Sequence, residues 1–302
     1  MKKSIAVILA LISLESVAQN VLAKAELEAE NVNEVRIEGS FVDVYVNTGD
    51  RVYFKGEITG NGDEGDYRFE TDIVGSTLVI KVDRKTDRGW KNYRITESRI
   101  DLTITDGVKL DIDNSSGDVN VANLRANESR IEASSGDITL KSIVANLKVE
   151  TSSGDIEIDG LTGDSDIEST SGDQKLYNTE GNIETRASSG DITISGFKGK
   201  IEVQATSGDV EFRKGIGALR ARTSSGEIDG YGIELTDNSY FNATSGNIEI
   251  DFVNDLNDLS FDLTATSGDL EVGSKSGEKR LVLSRGGIKV TGTTSSGDQE
   301  YD

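Results

Sequence analysis

The sequence predicts an all-β protein: a parallel β-solenoid (β-helix) with about 18-residue coils and an irregular N-terminal β cap. Three observations predict it. A Ser/Thr-Ser-Gly-Asp/Glu/Asn tetrad occurs ten times, with its glycine at 117, 136, 154, 172, 190, 208, 226, 246, 268 and 297. The five intervals from Gly136 to Gly226 are all 18 residues, and a fixed period of roughly 20 residues is the mark of stacked repeats. Between tetrads, apolar and polar residues alternate, as in a strand with one buried and one wet face.

Alignment on the tetrad glycine identifies the expected core. Two positions after it stand Val119, Ile138, Ile156, Gln174, Ile192, Val210, Ile228, Ile248, Leu270 and Gln299. Four after it come Leu140, Ile158, Leu176, Ile194 and Phe212; before it come pairs such as Leu147 and Val149, or Ile201 and Val203. Glu157, Lys175, Thr193 and Glu211 fall between these and point outward. Segments this short between turns are strands, not helices. One coil cannot cover its own apolar face, but coils stacked ~4.8 Å apart cover one another. Each covered aliphatic contributes about 1.5–3 kcal/mol.

Within the tetrad, glycine supplies a positive-φ corner that other residues reach only at a cost. The position three before it carries Ala133, Thr151, Ser169, Ala187, Ala205 and Thr223, small enough for a tight corner. Ser and Asp side chains are expected to bond neighbouring turn amides. Gly163, Gly181, Gly199 and Gly217 fall midway between the main glycines and predict a second corner. Ser165, Ser169, Gln174 and Thr179 occupy inward slots that are apolar in other coils. A buried amide without partners costs stability, so Gln174→Ile is expected to stabilise the chain. The general crossover preference favours right-handed winding, but the sequence does not fix the hand.

Residues 24–110 alternate without the tetrad and are expected to form the cap, leaving 111–302 as the solenoid; an uncovered end coil would expose a sheet edge. Residues 1–18 read as a cleaved signal peptide: Met1-Lys2-Lys3, an apolar run to Leu14, then Ser16, Val17 and Ala18. A bilayer-spanning helix needs roughly 20 apolar residues, so the mature chain is expected to contain no membrane span. No cysteine is present, which excludes disulfides and a lipid-modified cysteine at the cleavage site.

Net charge is −22, and residues 111–302 hold 17 basic against 35 acidic side chains. Such a surface repels nucleic acid and anionic lipid, so neither is an expected partner. Histidine is absent along with cysteine, which removes the usual general base, thiol nucleophile and zinc ligands.

The run from Leu102 to Val121, ending Asn-Ser-Ser-Gly-Asp-Val-Asn-Val, and repeats such as Thr151-Ser-Ser-Gly-Asp-Ile-Glu-Ile158 resemble a bacterial family known as the "putative adhesin" or toastrack domain. The resemblance covers most of residues 30–302. It implies a β-solenoid of envelope proteins, in a surface or stress-response setting, with no catalytic residues to carry over.

Four features are weighed as sites. The aspartates after the glycine (Asp118, Asp137, Asp155, Asp173, Asp191, Asp209) form a ladder of carboxylates. It is read as corner hydrogen bonding, with a calcium ladder as the alternative; the two further glycines of known calcium repeats are missing. Repeating carboxylates also evoke glycosidases, but catalysis needs two carboxylates in different environments within a cleft. Asp251–Asp262 interrupts the rhythm and reads as a bulged loop. The segment 84–99 is the distinctive one: Arg88, Trp90, Lys91, Tyr93 and Arg94 combine cationic and aromatic side chains, as interaction patches do. The competing and favoured reading is a loop packed back on the acidic solenoid.

The expected function is therefore a non-enzymatic, exported protein of the periplasm or cell surface, adhesin-like and monomeric, contacting an envelope protein or glycan. No catalytic, cofactor or metal residue is assigned. The alternatives are a carbohydrate-active β-helix enzyme and a Ca²⁺-binding solenoid.

Overall fold

Alternating sequence becomes strand, and strands of equal period become columns. The computed structural model describes residues 20–61, 65–84 and 94–302, which form one continuous all-β sheet with a single short 3-10 turn at Leu256–Asp258. Each winding contributes a strand to each of two parallel columns. In the first, Ile138 pairs with Ile156, then Gln174, Ile192, Val210 and Ile228. In the second, Leu147 pairs with Ser165, then Ile183, Ile201 and Leu219. Partners along both columns stand 18 residues apart. The inward side chains of the columns meet in one apolar core, where Ile138, Ile156, Val149, Ile167, Val203 and Phe212 are fully buried. Among the described residues no helix is long and apolar enough to cross a membrane.

The tetrad glycines lie in file, and close approach is what holds them to glycine. A Cβ on Gly136 would sit 2.0 Å from the Gly117 carbonyl oxygen, and one on Gly154 would sit 2.0 Å from that of Gly136. The contact recurs up the stack, at 2.1 Å for Gly172 and 2.2 Å for Gly190. Positive φ, the reason expected from the sequence, applies from Gly172 onward (133–156°) and not at Gly117, Gly136 or Gly154. A second file lies at the opposite corner, where Cβ atoms on Gly163, Gly181 and Gly199 would each meet a carbonyl oxygen at 2.2 Å.

The windings do not stack in chain order at the ends. Strand Glu34–Gly39 pairs in parallel with both Thr77–Arg84 and Lys109–Asn114, so the later 77–104 segment lies outside the earlier one. At the other end, Ile288–Ser296 enters between Ser239–Ser245 and Leu259–Ser267. The glycine file there runs Gly246, Gly297, Gly268. The predicted bulged loop thus has a purpose: residues 253–258, with Asp255 accepting from the Asn257 amide at 2.9 Å, step the chain past a level that the 288–301 segment fills. Strands Asn20–Ala29, Val52–Gly60 and Tyr67–Val74 finish one end antiparallel, and Lys275–Gly277 and Arg280–Leu283 finish the other.

The polar slots in the core divide into two kinds. Gln174 is fully buried and fully engaged: its Nε2 donates to Ser169 Oγ at 2.8 Å and to the Arg186 carbonyl at 2.7 Å, and its Oε1 accepts from Thr185 Oγ1. The equivalent Gln299 repeats the device, donating to the Thr264 carbonyl at 2.8 Å and Thr294 Oγ1 at 3.1 Å and accepting from Tyr301. Gly292 makes room for it, since a Cβ there would meet Gln299 Oε1 at 2.1 Å. Thr179 Oγ1 and Ser165 Oγ, by contrast, are buried without a partner.

The expectation for Gln174 is therefore reversed. Gln174→Ile strands the Thr185 hydroxyl and removes the bonds made to the Ser169 hydroxyl and the Arg186 carbonyl, and is expected to destabilise by about 2–4 kcal/mol in denaturant titration. Thr179→Val removes an orphaned hydroxyl at nearly constant shape and is expected to stabilise by about 1 kcal/mol. Gly190→Ala forces a Cβ against the Gly172 carbonyl and is expected to cost about 2–4 kcal/mol, read as a lowered Tm.

Candidate functional site

One concave feature of the described residues follows from the small residues before each glycine. Ala133, Ala187 and Ala205 turn inward and leave a furrow above them. Its walls are the outward positions on either side. One wall runs through Glu132, Glu150, Glu168, Arg186, Gln204 and Arg222; the other carries exposed hydroxyls, among them Ser134, Ser152, Thr170, Ser188 and Thr206. Parallel in-register pairing sets each wall residue beside its counterpart, as in Glu150 opposite Glu168 and Arg186 opposite Gln204. The resulting axial groove has a volume of about 670 Å³ and extends from Asp113 to Thr244.

Its electrostatics change along its length. At the N-terminal end, burial and then a hydrogen bond with Glu150 raise the Glu132 carboxyl, while the Lys148 hydrogen bond lowers Glu150. Further along, Arg186 ties three carboxylates of two windings together, reaching Asp166 at 2.8 Å and also Glu168 and Glu184. Beyond it the wall is neutral or basic, through Gln204, Arg222 and Asn242. The arrangement offers hydrogen-bonding groups at a regular spacing of ~4.8 Å to an extended ligand.

The aspartate ladder has a different employment. Each carboxylate accepts the backbone amide of the next winding: Asp137 N to Asp118 at 3.1 Å, Asp155 N to Asp137 at 2.9 Å, Asp173 N to Asp155 at 2.8 Å, and so on to Glu227 N on Asp209 at 2.9 Å. The second corner does the same, with Asn182 N donating to Asp164 at 2.9 Å. The corner reading of the sequence holds here. Outside the first column lies a second row, Glu211, Asp229, Glu249, Glu300 and Glu271, paired in register. Partial burial and then the charges of Glu227 and Glu249 push Asp229 up to about 6.

Of the interaction patch read from the sequence, Arg88, Trp90, Lys91 and Tyr93 lie outside the described residues. Arg94 is exposed; its backbone amide donates to Asn61 Oδ1 at 2.6 Å, pinning the start of strand Ile95–Ile104. The groove walls had no such signal. Their residues read only as outward partners in an alternating pattern, and nothing in one coil shows that outward side chains of successive windings face a common furrow.

Two stretches of the chain, residues 32–214 and 197–302, match the model of the family described as Toastrack DUF4097. The chain belongs to that family. The toastrack assignment agrees with the resemblance carried by the tetrads and with a β-solenoid-like sheet. Similar solved structures include a "putative adhesin" from Bacteroides fragilis (14% identity, 92% of this chain and 96% of that one, TM-score 0.43). They also include a "putative adhesin" from Parabacteroides distasonis (14%, 92% and 95%, TM-score 0.38). A "putative lipid binding protein" from the same species shares 14% identity over 91% and 95%, with a TM-score of 0.36. No curated protein matches this toastrack chain.

The Asp229 carboxyl fixes a pH dependence. A carboxyl raised in the folded state favours the protonated form, so its contribution to stability is complete below the unfolded value of about 4 and is lost as pH rises through about 6. Asp229→Asn is therefore expected to raise Tm at pH 8 and to leave it unchanged at pH 3.5, as thermal melts at the two pH values will show.

Proposed function

We propose that this toastrack protein is a non-enzymatic envelope or cell-surface module that holds an extended ligand along its axial groove. It is exported by the signal peptide at residues 1–18 and acts as a monomer, in the periplasm or at the surface. Residues 24–110 serve as the cap and 111–302 as the solenoid of about 18-residue coils. The observation that carries the reading is the groove itself: about 670 Å³ of continuous furrow whose walls repeat the same two outward positions on winding after winding. Enzyme sites concentrate unlike groups at one place, whereas this furrow distributes similar groups along a line. An envelope glycan or an extended protein segment fits that distribution.

A carbohydrate-active enzyme is the second reading, and one observation favours it: Glu132 is raised while neighbouring Glu150 is lowered. Split carboxylates are what acid catalysis requires. Here, however, each carboxylate is ion-paired with a cation of its own strand, Glu132 with Arg130 and Glu150 with Lys148 at 2.5 Å, as structural charges are. Cation binding by the ladder is also less well supported, because each aspartate already holds a backbone amide.

The groove reading is tested by filling it. Ser188→Tyr with Thr206→Tyr places two rings across the furrow on exposed positions. On a glycan array and on immobilised envelope fractions, the unaltered chain is expected to bind. The double variant is expected to lose that binding at least tenfold with an unchanged melt. Equal binding by both proteins would remove the groove from consideration.

A further inference from the structure

Acidic side chains outnumber basic ones 54 to 32 in this chain, so arginines have carboxylate partners in surplus. Arg186, on the groove wall, holds three. Arg220 and Arg222 lie on the long strand Val210–Ser225. Among the described residues neither forms an ion pair, although Glu202 is the register partner of Arg220. Both side chains are exposed, and their next neighbours up the stack are Tyr240 and Asn242. The Arg222 guanidinium lies 5.4 Å from the centre of the Tyr240 ring. Lys289, whose Nζ is 3.0 Å from Asp262, completes the basic side.

These residues enclose a surface pocket of about 480 Å³, lined also by Asn238, Ser239 and Thr291. The Asn238 side chain accepts the Lys289 amide at 2.7 Å, and the Ser239 hydroxyl is spent on the Asp237 carbonyl and the Leu219 amide. What remains available is two guanidinium forks, that of Arg222 lying over the Tyr240 ring, together with the Tyr240 hydroxyl, the Asn238 amide nitrogen and the Thr291 hydroxyl.

We propose that Arg220, Arg222 and Tyr240 form a binding site for the acidic sugars of an anionic polysaccharide. A guanidinium fork matches the two oxygens of a carboxylate or sulfate. The Tyr240 ring under the Arg222 guanidinium holds that fork in place by a cation–π contact, and the amide and hydroxyl lining suits hydroxyl-rich neighbours. An acidic peptide would use the forks but has no need of that lining. The site names a ligand class for the basic end of the groove, where Arg222 lines both, and so rests in part on the groove reading. Net charge opposes the approach of any polyanion, so recognition must come from contacts in the pocket and not from long-range steering.

The test uses the full mature chain and four immobilised polymers: polygalacturonate for carboxylate, dextran sulfate for sulfate, and neutral dextran and poly-glutamate as controls. The unaltered protein is expected to bind polygalacturonate, dextran sulfate or both, at least tenfold more tightly than either control, and to be released by salt. Which of the two polysaccharides binds identifies the acid group. Arg220→Gln with Arg222→Gln is expected to weaken this binding about tenfold or more with an unchanged melt, and Tyr240→Ala to weaken it several-fold. Retention by the filled-groove variant Ser188→Tyr, Thr206→Tyr would place the sugar in the pocket even if the groove proves empty of function. Poly-glutamate binding as tight as polysaccharide binding, no binding to either acidic polysaccharide, or full binding by the double arginine variant would each overturn the proposal.

Discussion

The carbonyl oxygen of one tetrad glycine rests against the Cα of the next, and the rest of the molecule depends on that contact. With a Cβ the oxygen would be about 2 Å away, closer than any real side chain tolerates, so the corner admits glycine alone. Because the corners touch, the windings are held in register. Because they are in register, Ile138 covers Ile156 and each aspartate reaches exactly one amide of the next winding. Hydrophobic burial supplies the driving force, but burial alone would tolerate a slip of two residues; the corner contact does not.

Much of this was legible in the sequence, since a period repeats its evidence. The core positions, both glycine files, the outward charges and the role of the aspartates all follow from one alignment on the tetrad. The reason for glycine was only half legible: φ is a local property that a turn motif reports, whereas a clash with the previous winding is visible only once windings are stacked. The same limit hid the groove, whose walls belong to different windings. It also misled on Gln174. In one coil it is a polar residue in an apolar slot; between coils it is the centre of a network with Ser169, Thr185 and the Arg186 carbonyl. The repeat of that network at Gln299 shows that the glutamine is a designed substitute for an aliphatic side chain and not a defect.

Charge in this protein is organised by face. One column turns five consecutive carboxylates outward, from Glu211 to Glu271, and partial burial among them raises Asp229. The other column carries the furrow, with its acids at one end and unpaired arginines at the other. A net charge of −22 therefore describes neither surface. A partner at close range meets the local clusters of one face, and the two faces are suited to different company.

The interleaved C-terminal segment carries a consequence for how the chain matures. Residues 288–301 occupy an interior level, between windings that precede them in synthesis. Until they arrive, the 259–272 winding has an open slot beneath it instead of a neighbour. Assembly therefore cannot finish by simple vectorial growth from the N-terminus, as a uniform spiral could. This later-made segment acts as a keystone, and the stack is sealed from within.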